Sequence, residues 1–324
     1  MATLSRFRTL TLMPFWNRNE GRVRAGWRIV AMLALYLVLT IGTMTAIDTW
    51  LDGYEEYLAP IAIVLTAILT AWLATRYLDH RPLGSLGLRP DRTWWRELVV
   101  GLGFGLFLTG GVLVIYLATG WATVEGWFAA DEGRTFLAGF GLSVMSYAAV
   151  AVLEELLFRG YFITNATEGV PSRFVGLFKR VLPRRWLSAV PVTVAVAVSS
   201  LVFAHFHGDT LTAMQYLHFW LAGVLLGIPY VLTGRLGLSI GLHWTFNVGV
   251  TSLFNVEGGL PALVRLSFDG PALWVGETAL TETVMILVTI GLLLLWARWR
   301  GFAGLDDGFR RRVGKTGPKT SADD

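Results

Sequence analysis

Long apolar runs recur along the whole chain, each near the ~20 residues that carry an α-helix across the hydrocarbon core of a bilayer. Eight such spans are read: Ile29–Thr49, Ala59–Leu78, Leu98–Ala118, Phe136–Phe162, Leu187–His207, Gln215–Thr233, Leu236–Phe254 and Glu277–Ala297. Only 15% of the 324 residues are charged and 54% are hydrophobic, and the mean hydropathy is +0.56. A soluble domain of that length needs more charge to cover its surface. The expected class is therefore an all-α, polytopic membrane protein with about eight transmembrane helices. The first span begins too far in, and runs too long, for a cleaved signal peptide, and is read as an anchor. The chain has no cysteine, which excludes disulfides, thiol catalysis and cysteine-ligated metal.

The connectors sort by charge. Arg6, Arg8, Arg18, Arg22, Arg24 and Arg28 precede the first span, whereas Asp52, Glu55 and Glu56 follow it. Arg81, Arg89, Arg92 and Arg96 fill the second connector; Glu125, Asp131 and Glu132 outnumber Arg134 in the third. The fourth is rich in Arg173, Lys179, Arg180, Arg184 and Arg185; Arg235 follows span six, and Arg298, Arg300 and Arg310 to Arg312 follow span eight. Basic residues collect in cytoplasmic loops, so this alternation predicts cytoplasmic N- and C-termini. The net charge of +4 calls for no nucleic acid partner. The organisation expected is a basic N-terminus (1–28), three N-terminal helices (29–118), a core (136–254), a last helix (277–297) and a basic disordered tail (298–324).

Ser172 to Leu187, "SRFVGLFKRVLPRRWL", interleaves apolar residues with bases, as a short amphipathic helix on an anionic leaflet would. Gly101 and Gly105 hold a G-x-x-x-G spacing that predicts close helix packing; no strand precedes it, as a phosphate-cradling loop would require. No internal repeat is found.

Three ionisable groups stand where the pattern calls for apolar ones, in "AVLEELLFRGYF" from Ala151 to Phe162. A charge at mid-bilayer costs at least ~2.5 kcal/mol on insertion scales, so each needs a partner or a task. Glu155 and Arg159 are four apart, share a helical face and can neutralise each other. Glu154, turned by about 100° from Glu155, has no local partner. Span five ends with Phe203 and His207 at the same four-residue spacing, and span seven carries His243 and Asn247 likewise. His205 points away from His207, His218 has no motif around it, and His80 reads as solvated in a basic loop.

Glu-Glu-x-x-x-Arg at Glu154 to Arg159, Phe-x-x-x-His at Phe203 to His207 and His-x-x-x-Asn at His243 to Asn247 resemble, in content and order, the CPBP family. That family comprises the CAAX prenyl endopeptidases of the Ras-converting type and the bacteriocin-processing or abortive-infection (Abi) proteins. "PLGSLGLRP", Pro82 to Pro90, resembles a stretch often found ahead of the family's core. The long basic segment 165–187 departs from the pattern but leaves the motif residues intact.

The resemblance implies an intramembrane endopeptidase, usually labelled a metalloprotease. It puts Glu154 and His207 on an activated water, and His243 and Asn247 at the oxyanion, with Glu155, Arg159 and Phe203 in support. Imidazole N–H and amide NH₂ groups can both donate to a tetrahedral oxygen, and a desolvated carboxylate is a stronger base. Glu154, His207 and His243 would also form a legitimate zinc-type ligand set. However, H-E-x-x-H is absent and a glutamate–histidine water needs no ion, so metal use stays open. A prenylated peptide, a bacteriocin leader and a membrane-embedded protein all stay open as substrates, with lipids as the surrounding partners. The location implied is integral and multi-pass, in the plasma membrane if the chain is prokaryotic. A silent scaffold or immunity protein of the same fold is one rival. A proton-coupled transporter is another, disfavoured by the lack of duplicated halves.

One strain attends this reading. Counted from Leu187, His207 falls near the outer face, while Glu154 and His243 lie about 10–12 Å from the opposite side at 1.5 Å per residue. The groups meet only if span four continues to about Thr167 or span five starts well inside the cytoplasm.

Overall fold

The computed structural model describes residues 15–309 except 18–19, 131–132, 209, 256–260, 277 and 303. A small hairpin, β1 (Trp16–Asn17) with β2 (Arg22–Val23), leads into α1 (Ala25–Trp50). Next come α2 (Glu55–Leu73), with a π turn over Ala74–Leu78, and α3 (Arg92–Thr119). Asp91 starts α3 by accepting from the N–H groups of Thr93 and Trp94, which satisfies two of the orphan donors of a helix start. After β3 (Ala122–Ala129), α4 (Phe136–Glu154) runs without a break through a π-helix, Glu155–Ile163, into α5 (Thr164–Gly169).

The chain then passes through the short α6 (Ser172–Leu177) and α7 (Arg184–Leu187) to α8 (Val190–His205). α9 (Ala213–Thr233) starts on a Thr212–Gln215 capping box and stops at Gly234 in the left-handed region, as helices commonly do. α10 (Gly237–Val248) ends in a π turn, and β4 (Ala262–Phe268) and α11 (Leu280–Trp299) complete the order.

Among the described residues, six helical stretches are long and apolar enough to cross a membrane: Ala25–Trp50, Glu55–Leu78, Arg92–Thr119, Phe136–Gly169, Ala213–Thr233 and Leu280–Trp299. The other two expected spans correspond to α8, of 16 residues, and α10, of 12 before its π turn. Conversely, the fourth stretch reaches 34 residues, about 50 Å at 1.5 Å per residue. The all-α expectation also needs correcting. β3 and β4 pair antiparallel, Ala122 with Phe268 through Ala129 with Ala262, where the β-branched and aromatic content of "ATVEGWFA" outweighs helix propensity.

Two further expectations change. Ser172–Leu187 is no continuous helix; Pro183 interrupts it, and it forms separate short turns with Leu177 and Val181 exposed. The tail is not free from Arg300 onward: Phe309 is buried, edge-on to Tyr230, and the Asp306 N–H donates to the Val231 carbonyl. The rest of the expected disordered tail, 310–324, lies outside the described residues.

The G-x-x-x-G spacing does what it predicts. A Cβ on Gly101 would lie 2.2 Å from the Leu238 carbonyl oxygen, and one on Gly105 2.5 Å from that of Leu242. Gly241 of α10 returns the contact at 2.2 Å from the Leu98 carbonyl oxygen. Backbone against backbone, α3 therefore fixes the depth and rotation of α10, the helix that carries His243.

Ion pairs show which connectors share a face. Arg22, Arg28, Asp79, Arg81 and Glu168 meet at one end of the bundle, and Glu56 pairs with Arg134. The N-terminus thus meets the second and fourth connectors, and the first meets the third.

Candidate active site

The long fourth stretch resolves the depth problem. Glu154 and Glu155 sit near its middle, at the junction where α4 becomes a π-helix. α8 spans only about 24 Å at 1.5 Å per residue, so its end meets that middle rather than the far face. Contacts hold it there: the Ser199 hydroxyl donates to the Phe158 carbonyl at 2.9 Å, and the Phe158 and Phe203 rings meet edge to face.

His243 is the centre of the site. It is 3% exposed, and the two glutamates address its two nitrogens. Nδ1 lies 2.9 Å from Glu155 Oε1, and Nε2 lies 3.7 Å from Glu154 Oε2. In an unbroken α-helix two successive side chains diverge by about 100°. Leaving the helix in different directions, the two acids take the ring one at each nitrogen; the backbone at both is ordinary α-helix, with φ −69° at Glu154 and −66° at Glu155.

Arg159 completes the inner layer. Its Nη1 is 3.2 Å from Glu155 Oε1, as the four-residue spacing predicts, and its guanidinium lies over the Phe203 ring at 4.3 Å. A guanidinium is favoured over the negative face of an aromatic ring. Glu155 Oε1 therefore serves both His243 and Arg159. Even so, Arg159 Nη1 and Nη2, Glu155 Oε2 and Glu154 Oε2 have no hydrogen-bond partner.

His207 lies just past the end of α8, with its Nδ1 2.8 Å from the Phe203 carbonyl oxygen. Nδ1 is thus the donor, and Nε2 carries the lone pair. The ring sits between Phe203, 4.3 Å away, and Phe219, stacked at 4.4 Å. It is close enough to Glu154, His243 and Arg159 for their charges to act on it. Asn247 lies one turn beyond His243 on α10, half-buried, and its side chain makes no hydrogen bond to Glu154, Glu155, Arg159, His207 or His243. Of the set expected from sequence, Glu154, Glu155, Arg159, Phe203, His207 and His243 are brought together, with Glu154 meeting His243 more closely than expected, whereas no contact ties the Asn247 side chain to them. His205 is a spare, exposed with Nδ1 3.2 Å from the Tyr216 hydroxyl; His218 is buried against Thr283 on α11. Both stand apart from the site.

Zinc finds no ready cage. Among the described residues no group of three or more His, Asp or Glu side chains is arranged to hold an ion, and His243 Nδ1 is already committed to Glu155.

Comparison with known proteins falls on this same region. Residues 136–249 match the family model for type II CAAX prenyl endopeptidase, Rce1-like. Over this stretch the chain is similar to that family. No curated protein and no solved structure matches the chain. The Rce1-like segment runs from the start of α4 to the end of α10 and contains Glu154, Glu155, Arg159, Phe203, His207, His243 and Asn247. α1 to α3, α11 and both strands of the β3–β4 ribbon lie outside it.

Proposed function

We propose that this chain is an intramembrane endopeptidase in which Glu154 activates water and His243, with Asn247, receives the oxyanion. The observation that carries the reading is the buried His243 imidazole, held at Nδ1 by Glu155 and facing Glu154 at Nε2. A gap of 3.7 Å is too long for a direct hydrogen bond but suits one bridged by water. Glu154 is the one group of the inner layer with access, 21% of its side chain being exposed. It would take the proton of the attacking water and later give it to the leaving amine. His207 flanks that water with its Nε2 lone pair.

The oxyanion role sets a condition on His243. With Glu155 ionised, Nδ1 donates to it, so donation from Nε2 as well requires both nitrogens protonated. The inner layer is then neutral: two carboxylates against one imidazolium and one guanidinium. Neutrality is the state that a low-dielectric site favours.

The supporting architecture is eight spans, with α8 and α10 as short spans that both enter from the basic face, after Arg184 and Arg235 respectively. The face that gathers Arg22, Arg28 and Arg81 is cytoplasmic by the positive-inside rule. A substrate presented at that face, such as a C-terminally prenylated peptide, fits the Rce1-like resemblance. The test is cleavage of a panel of prenylated and unprenylated membrane-bound peptides by reconstituted protein. Glu154→Gln keeps size and hydrogen bonding but cannot act as the base, so turnover is expected to fall by ~10²-fold or more with an unchanged melting temperature. Turnover near that of the intact protein would remove Glu154 from the base role.

A further inference from the structure

Away from the site, a cavity of about 480 Å³ opens beside the first turns of α1. Its walls are of two kinds. The polar wall holds Glu20, Arg24, Arg28 and Glu168; the apolar wall is Trp27 and Val30, 45% and 54% exposed. Phe15 and Trp16 are exposed as well, and the Phe15 ring lies 4.7 Å from that of Trp27. Such an aromatic cluster at the start of a spanning helix marks the membrane–water interface.

Three features of the polar wall point to a ligand of mixed charge. α1 begins on Arg24 with no side-chain cap and no acid in its first turn. Its orphan N–H groups and dipole therefore favour an anion. Arg28, 1% exposed, commits its terminal nitrogens to Asp79 and Glu168 while its Nε has no partner. Glu20 gives one oxygen to Arg22 Nε at 2.7 Å, leaving the other for a cation. A wholly anionic ligand would face Glu20 unfavourably.

We propose that this cavity binds the headgroup of a phospholipid carrying both a phosphate and a primary ammonium. The phosphate sits at the first turn of α1 beside Arg24, the ammonium donates to Glu20, and the acyl chains leave past Trp27 and Val30. This inference does not depend on the peptidase reading.

Gly26 supplies the clean variant. It lines the cavity, and a Cβ there would meet nothing within 4 Å, so Gly26→Leu fills the space while favouring the helix. Lipid retention is read by native mass spectrometry of detergent-solubilised protein exchanged with phosphatidylethanolamine, phosphatidylglycerol or phosphatidylcholine. The intact protein is expected to retain phosphatidylethanolamine ~10-fold over the other two, the worth of about one charge-assisted hydrogen bond. Gly26→Leu is expected to abolish that preference with no loss of melting temperature in lipid-free detergent. Glu20→Gln is expected to narrow the gap between phosphatidylethanolamine and phosphatidylglycerol. Equal retention of the three lipids by the intact protein, a preference that survives Gly26→Leu, or a gap unchanged by Glu20→Gln overturns the proposal. Displacement of lipid by soluble phosphoethanolamine at equal concentration overturns the lipid assignment in favour of a free phosphate ester.

Discussion

Two buried clusters of charge lie on the same long helix, and they are built to opposite standards. At its end, Glu168 Oε2 receives Arg22, Arg28 and Arg81 at 2.9 to 3.1 Å, and Asp79 holds Arg28 at 2.7 Å. The Asn165 amide and the Tyr161 hydroxyl donate to Asp79 as well. At its middle, Glu154, Glu155, Arg159 and His243 share two contacts under 3.5 Å and leave four polar atoms unsatisfied. Buried charge is costly unless paired and hydrogen-bonded. The end cluster leaves Arg28 Nε and Asn165 Oδ1 without a partner against four atoms in the middle one, and the poorer-satisfied cluster keeps more hydrogen-bonding capacity for something that is not part of the chain. Satisfaction, rather than burial or charge count, separates the tie from the site.

The largest expected effect is on the better-satisfied cluster. Asp79→Ala leaves Arg28 buried and half-partnered, and is expected to cost ~3–5 kcal/mol of stability. Thermal melts in detergent measure that loss, and turnover per folded molecule should stay intact. A collapse of turnover with unaltered melting would mean that the distinction between the clusters is wrong.

Asn247→Ala sharpens the other half of the comparison. If Asn247 donates to the oxyanion, kcat should drop by ~10²–10³-fold with KM little changed, because the bond strengthens only in the transition state. A lowered melting temperature with unchanged kcat would class Asn247 with the tie.

Within the site, Glu155→Ala and Arg159→Ala are each expected to destabilise, with the double change milder than their sum by ~0.5–3 kcal/mol. Strict additivity in the melts would show that the 3.2 Å approach carries no coupling.

The smallest effect is at the rim. The Asp91 carboxyl is held below its ordinary range, first by the Trp94 backbone N–H and also by Thr93 and Arg235. A depressed value means stabilisation that is present above the ordinary carboxylate range and lost as pH falls through the lowered one. The difference in melting temperature between the intact protein and Asp91→Asn should therefore shrink from about pH 7 to about pH 3. A difference constant with pH would leave Asp91 no role as a charged cap.

The sequence by itself determined the membrane class, the alternation of connectors, the packing use of Gly101 and Gly105, and the set of polar groups in oil. Each follows from local composition or from helical spacing, which a linear pattern records. What it could not hold is depth and partnership. Glu155 read as the partner of Arg159 alone, because i,i+4 spacing is visible and contact with His243, 88 residues away, is not. Asp79 and Glu168 carried no motif and were lost among the loop charges, though together they bind three arginines. Among the described residues six helices have the length of a full span; α8 does not, and its early end is what brings His207 to the level of Glu154, while the contact with α3 sets the depth of His243. Only the tertiary structure decides that, since the length of α8 and the glycine contact between α3 and α10 set depth through backbone geometry rather than through residue type.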